Sequence, residues 1–590
     1  MRSFWRQSCY VTRPARPHVK KELPAAKRTN TLARMENLIG TFKSVSELVD
    51  DFECGQVAIP EIQRDVVWKA DKIKALIDSI GNGFPCGSLI LWEPRETDKA
   101  LVRSMIRPER LDQFDGALPR YFLLDGQQRV TALASVTLKR DLFRSLISEV
   151  EDEMPLMLAN LKRFPREIEA TTDLAGYSFP WVLFNDLFAG TVQSSPQYAT
   201  LPPDKAEGIK RYIQRLRDYK FPVQIIRDQN YSTVGEIFTR VNSQGTQLTG
   251  AEIYLARIVP HWRGITREFR NYRRQLRQEN YDLDLTFLIR AITVIECKVP
   301  QIKKLADRVA NDHPSRNHLN KTWKLARTAT DKLIRVLRRD LLLDRSKYFT
   351  SKNALVPLVY YIANARSSNS AAKLLQRFFL LSQISEHYGG AAETTLRRDF
   401  RTMTDPALTV RQGLDELVTS VDHEARQGFR GLKIRPDHVS GVPSKSVFVL
   451  LMYILIRKRQ ARDWGHAGSR LLDEIDPKDM QLHHIFPFNF MVNNKPALKV
   501  YTDKGQSPAD FRADVNDIAN LTFLSQAKNG EIHDDPPWEY LPRQTTKETR
   551  KAHFVPEDPD LWKPERFSDF LEERRRLLAK AMTRLLKKLS

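Results

Sequence analysis

Two histidines stand side by side in the run QLHHIFP, Gln481 to Pro487, and two asparagines follow in IANLTFLSQAKNGEI, Ile518 to Ile532. The histidine pair ends a β-like stretch, Asn520 opens a second apolar stretch, and Asn529 comes nine positions later. An imidazole with an ordinary pKa of about 6.5 is mostly neutral at cellular pH, so it can take a proton or ligate a metal. Neighbours on a strand point to opposite faces. His483 and His484 should therefore divide the work, one facing a metal and the other facing a reacting phosphate. The plainer alternative is a solvated or hydrogen-bonded pair, but HIFP, NLTFLS and the second asparagine in register favour a site. His533, just past Asn529, stays outside it as a surface residue or a phosphate contact.

A second constellation lies in the first half, in IPEIQRDVVW (Ile59 to Trp68), LLDGQQRVTAL (Leu123 to Leu133) and IFTRVNSQGTQLTGAEI (Ile237 to Ile253). In the middle segment an apolar strand meets an Asp-Gly turn, and a helix then opens with Gln127, Gln128 and Arg129. Free N–H groups, the positive end of the helix dipole and a guanidinium one turn in make a phosphate cradle. The alternative is structural: Asp125 caps the helix and Arg129 sits in a buried ion pair. GxxxxGK[ST] occurs nowhere, so any nucleotide chemistry here is not of the P-loop kind.

These segments need elements to hold them. The chain has 590 residues, room for several packing units. From Met35 to about Leu255, short β-like runs (GSLILWE, YFLLDG, FPVQIIRD) alternate with helical ones (KADKIKALIDSI, RVTALASVTLKR), which predicts an α/β or α+β domain. Residues 256–461 read as nearly all helix. A last unit, 462–590, ends in an amphipathic helix whose apolar face includes Phe567, Phe570, Leu571, Leu578, Met582 and Leu585. Its Arg574, Arg575 and Arg576 are expected in solvent.

Charge narrows the partner. Lys and Arg number 94 against 72 Asp and Glu, a net charge of +22, which favours a polyanion. Residues 1–34 carry nine of the basic residues and one acid, Glu22. They read as a basic disordered tail, or as sequence upstream of a natural start at Met35, in preference to a transit peptide. The longest apolar run, Val447 to Ile456, is ten residues, a buried helix too short to span a bilayer. Four cysteines without a CxxC pair speak against a disulfide framework and point to a cytoplasmic setting.

Taken together, the motifs resemble the GmrSD-type modification-dependent restriction endonucleases, including phosphorothioate-sensing SspE-like relatives. The first half resembles their ParB/sulfiredoxin-like N-terminal domain, and Asp476 to Tyr540 resembles an HNH (ββα-metal) nuclease. The resemblance implies a multidomain, mainly α chain with α+β parts: a sensing domain at 35–255, a helical spacer at 256–461 and a nuclease domain at 462–590. It implies that His484 is the general base, that Asn520 orients loop and base, and that His483 and Asn529 hold one divalent metal. His483 stands where many such enzymes carry Asp, which makes Mn²⁺ a plausible activator beside Mg²⁺. It implies a nucleotide or DNA site of Gln63, Arg64, Asp125, Gly126, Gln127, Gln128 and Arg129, closed by Asn242, Ser243 and Gly245. The implied function is an endonuclease of bacterial anti-phage defence that cuts modified DNA, gated by GTP or ATP, with no membrane partner and with assembly into a homo-oligomer left open. The alternatives are a ParB-like DNA-binding regulator with a decayed HNH fold and an RNA-directed toxin nuclease.

Overall fold

The computed structural model describes residues 38–59, 68–95, 119–138, 156–171, 173–227, 234, 237, 250–259, 261–262, 264–365, 371–441, 446–465 and 469–588. These fall into two compact units, one before and one after residue 241. The expected basic tail at 1–34, and Gln63, Arg64, Asn242, Ser243 and Gly245, lie outside the described residues.

The first unit is built on a five-stranded mixed sheet of β1 (Leu38–Ser44), β2 (Val57–Ala58), β3 (Leu89–Trp92), β4 (Tyr121–Asp125) and β8 (Lys220–Ile226), in the order β1-β8-β3-β4-β2. The run LILW of β3 is buried along its whole length, as expected of a strand covered on both faces. Helix α1 (Val45–Glu53) starts at a capping box, in which Ser44 and Glu47 each satisfy the other's backbone N–H. Helix α2 (Ala70–Gly81) buries Ile73, Leu76, Ile77 and Ile80, the i, i+3, i+4, i+7 stripe legible in KADKIKALIDSI. Helix α3 (Gln127–Thr137) follows β4 directly, and α4 (Pro203–Asp218) leads into β8. A separate three-stranded antiparallel sheet, β5 (Leu156–Asn160), β6 (Ile168–Thr171) and β7 (Trp181–Leu183), has β5 at its centre. Every residue of β6 and β7 is half-buried, so no clean alternation marked them in the sequence.

In the second unit, helices run from Gly250 to Lys458, the longest being Arg316–Leu341. The apolar run at Val447 is α5 (Val447–Lys458), buried from Val447 through Arg457. No described helix is long and apolar enough to cross a membrane. Beyond it come two antiparallel strands, β9 (Met480–His484) and β10 (Leu521–Ser525), the short helix α6 (Gln526–Ile532) and the terminal helix α7 (Phe567–Lys587). Phe486, Phe511, Phe567, Phe570 and Leu571 close a core beneath the strands. At roughly 1.5–3 kcal/mol for each large apolar side chain removed from water, this core holds the strand–strand–helix unit in place.

The expected solvent position of Arg574 is wrong. Its residue is 0% exposed, between Phe570, Leu571 and Leu578 on the apolar face of α7. Arg575 is half-buried against Asp514 and Asp517, and only Arg576 is exposed, paired with Glu573.

Candidate active site

Strand β9 presents its residues alternately, so Gln481 and His483 share one face and His484 takes the other. The pairing sets His483 opposite Thr522 and His484 opposite Leu521. Helix α6 begins directly after β10, with Ser525 as N-cap accepting from the Lys528 N–H. Ser525 is itself fixed by Asp463, which accepts from its N–H at 3.1 Å and from its hydroxyl at 2.5 Å. Asn529, on the first turn of this helix, is thereby delivered onto the His483 face.

There its amide is used at both ends. Asn529 Oδ1 lies 2.7 Å from His483 Nδ1, and Asn529 Nδ2 donates to Gln481 Oε1 at 2.9 Å. An amide oxygen only accepts, so Nδ1 carries the proton of this bond. The far nitrogen, Nε2, faces the Tyr540 hydroxyl at 3.5 Å, and that hydroxyl donates to the Ile485 carbonyl. Trp464 packs edge-on against the ring. Burial pushes the His483 pKa down to about 4, against a small opposing effect of the Asn529 bond, so the ring is neutral.

A divalent ion replacing the shared proton would meet an imidazole nitrogen and an amide oxygen already turned toward one point. The residues therefore fit one metal, with a donor set that is neutral throughout. Among the described residues no group of three His, Cys, Asp or Glu gathers at any point, so its other positions would fall to water or substrate.

His484 faces elsewhere. It is half-buried, with Nε2 at 3.2 Å from Asn516 Oδ1 and its ring 5.9 Å from that of Phe488. Burial lowers its pKa below the ordinary value, opposed by the Asn516 bond. With Nε2–H donating to Asn516, the lone pair of Nδ1 is left to accept a proton. The guanidinium of exposed Arg512 also lies against Phe488, 5.2 Å from its ring.

The Asn520 side chain hydrogen-bonds to neither histidine. Fully buried, it accepts from Phe486 N at 2.8 Å and donates to the carbonyls of Phe486 and Val515, both at 2.9 Å. It staples the chain just after the histidine pair to the chain just before Asn516. Arg574 holds the segment from below, donating to Ala519 O at 2.7 Å, His553 O at 3.1 Å, Phe554 O at 3.2 Å and Ile518 O at 3.3 Å. Burial with no carboxylate in contact drops its pKa to about 9, still a cation at neutral pH. Sequence reading missed Gln481, Asn516 and Arg574. The two-residue period of a strand is a signal that could have found the first, and the place of Arg574 among Phe570, Leu571 and Leu578 on the apolar stripe one that could have found the last.

In the first unit, Asp125 ends β4 and Gly126 turns the chain at φ 91° into α3. A Cβ on Gly126 would lie 2.2 Å from Leu89 Cδ2, so conformation and space both demand glycine. The N-cap of α3 is Gly126, with no side-chain cap, so of the structural alternative the Asp125 cap is absent while the ion pair of Arg129 is present. Asp125 instead accepts from Arg129 Nη2 at 3.2 Å, while Arg129 Nη1 donates to the Cys86 carbonyl at 2.7 Å. The Cys86 N–H donates to the Tyr219 hydroxyl at 3.0 Å, and a Cβ on Gly87 would lie 2.1 Å from Arg129 Nη1. Gln127 and Gln128 are buried, and Gln128 Oε1 accepts from the Trp68 N–H. The structure thus brings Asp125, Gly126, Gln127, Gln128 and Arg129 to one turn.

Residues 45–259, which span this turn, match the family described as GmrSD restriction endonuclease, N-terminal domain. The chain is also similar to an uncharacterized protein of Methanocaldococcus jannaschii, 21% identical over 606 aligned positions that cover 92% of this chain and 99% of that protein.

Proposed function

We propose that the protein is a restriction-type endonuclease that recognises modified DNA, cuts it at the β9–β10–α6 site by HNH chemistry, and is gated by a nucleoside triphosphate in its first unit. The observation that carries the defence-nuclease reading is the match of residues 45–259 to the N-terminal domain of a restriction endonuclease family. A strand pair followed at once by a helix, with His483 and Asn529 converging from two of these elements, supports the HNH assignment.

In this reading His483 and Asn529 hold one divalent ion, Mg²⁺ or Mn²⁺, and Gln481 orients the Asn529 amide. When bound, the ion supplies charge stabilisation at the phosphate and at the departing oxygen. His484 Nδ1 takes the proton of the attacking water, and Asn516 fixes the tautomer that leaves Nδ1 free. Asn520 and Arg574 are positioning residues. Arg512 lies on the His484 side, where a phosphodiester backbone would pass. In the first unit, Arg129 exchanges Asp125 for a phosphate of GTP or ATP at the start of α3.

The test is incubation with modified and unmodified phage DNA, with and without metal and nucleotide. Cleavage confined to modified DNA and to metal-containing reactions is the expected result. Metal-independent cutting, or no cutting of any modified substrate, would overturn it.

A further inference from the structure

The terminal helix has a second working face. Behind the stripe that carries Arg574, α7 borders a cavity of about 760 Å³ whose walls include Arg459, Lys551, Leu561, Glu572, Lys580 and Arg584. Its volume falls in the range of small-molecule sites, roughly 300–1,000 Å³.

The charges inside are sorted. Along α7, Glu572 comes first, then Leu577, then Lys580 and Arg584, and the twelve residue steps from Glu572 to Arg584 span about 18 Å of helix. Five carboxylates line the cavity, and three are occupied: Glu573 pairs with Arg576, Asp569 with Arg566, and Glu557 with Lys547, while Asp558 and Glu572 form no ion pair among the described residues. Of the five lining cations only Arg576 is paired. Among the described residues, Arg459, Lys551, Lys580 and Arg584 form no ion pair.

Arg459 is also pre-positioned. Its guanidinium lies 3.8 Å over the ring of buried Phe554, and its Nη1 donates to the Lys551 carbonyl at 2.6 Å. Arg459 and Arg584 line the same cavity, and neither has a counter-ion among the described residues; partial burial, and then the like charge of Arg584, lower the Arg459 pKa. An anion between them would relieve that repulsion. Apolar Leu561, Leu577 and Val555 line the cavity beside them, and Glu572 at the other end has no partner among the described residues.

We propose that this groove is a nucleoside-phosphate site, with phosphates between Arg459 and Arg584, the ring against Leu561 and Leu577, and ribose or ring donors at Glu572. It is separate from the turn at Arg129, and it uses the same helix that fixes Asn520 through Arg574.

The experiment titrates full-length protein with a fluorescent ATP derivative. Arg459→Glu with Arg584→Glu should remove a binding phase that Arg129→Ala retains, with the melting temperature unchanged. Should the double reversal unfold, Arg459→Gln and Arg584→Gln alone should each weaken that phase by about tenfold. Glu572→Ala should narrow the preference for ATP over inorganic triphosphate. Competition by a short single-stranded oligonucleotide against ATP tells a strand from a free nucleotide, both being nucleoside phosphates. A folded double variant that binds like wild type overturns the proposal. So does inorganic triphosphate competing as well as ATP.

Discussion

Arg574 and Arg129 each sit where a motif needs support, and they are held in opposite ways. Arg574 is sealed in the second unit and spends its guanidinium on four backbone carbonyls around Asn520. Arg129 keeps 17% of its side chain exposed and shares its donors between one carbonyl and the Asp125 carboxylate. A guanidinium locked onto carbonyls in the core can only fix geometry. One paired with a carboxylate that keeps 32% of its side chain exposed can trade that partner for a phosphate. The same side chain is thus a strut in one region and, in the proposed function, a recognition element in the other.

The largest effect that sharpens this contrast is on chemistry. His484→Ala should lower DNA cleavage by roughly 10²–10⁴-fold, with DNA binding and melting temperature retained. A folded mutant that cuts normally removes His484 from the reaction.

Next comes Arg574→Leu. It leaves four carbonyls without their donor, and breaking such a buried cluster costs about 3–5 kcal/mol. The melting temperature should fall by a wide margin, whereas exposed Arg576→Ala should not move it. Equal effects would mean that Arg574 is no strut. Arg129→Ala should instead keep the fold, abolish NTP hydrolysis and change nucleotide-dependent cleavage by about 5–150-fold, the usual range of coupling between sites.

Much of this was legible in the residues. Strands β3, β4 and β8 and helices α2 and α3 lie where their apolar periods put them, and β9 ends on the histidine pair as its pattern predicts. Less visible were positions that break a local rule because a distant group compensates. An arginine on an apolar stripe looks like a surface residue until the carbonyls of Ile518 and Ala519, more than fifty positions away, come under it. Asn516 has no motif of its own, and only the fold brings it to His484. The structural alternative for this turn is half right: Gly126 takes the cap position, and the Asp125 carboxylate pairs with Arg129.

Buried histidines extend the comparison, at smaller magnitude. His553, with Nε2 donating to the Arg462 carbonyl and Nδ1 beside the Thr522 hydroxyl, is pushed by burial to a pKa of about 4. In the helical region, burial also acts to lower His387, but its bonds to Asp399 and Glu424 prevail and raise its pKa. The signs are opposite. The depressed pKa of His553 contributes stability present above about pH 6.5 and lost as pH falls toward 4. The raised pKa of His387 contributes stability that is full below about pH 6.5 and lost as pH rises through its folded value. Denaturant unfolding across pH should therefore show His553→Gln flattening the acid limb and His387→Gln the alkaline limb. The same limb flattened by both would contradict the assigned charge states.

The central claim is that the His483–Asn529 pair makes the second unit a metal-dependent nuclease for modified DNA. The most direct measurement compares cleavage of one DNA sequence, modified and unmodified, in Mn²⁺, in Mg²⁺ and in EDTA. The account predicts cutting of the modified DNA alone, at least as fast in Mn²⁺ as in Mg²⁺ because the donor set is neutral, and none in EDTA. Cleavage that persists in EDTA would contradict it.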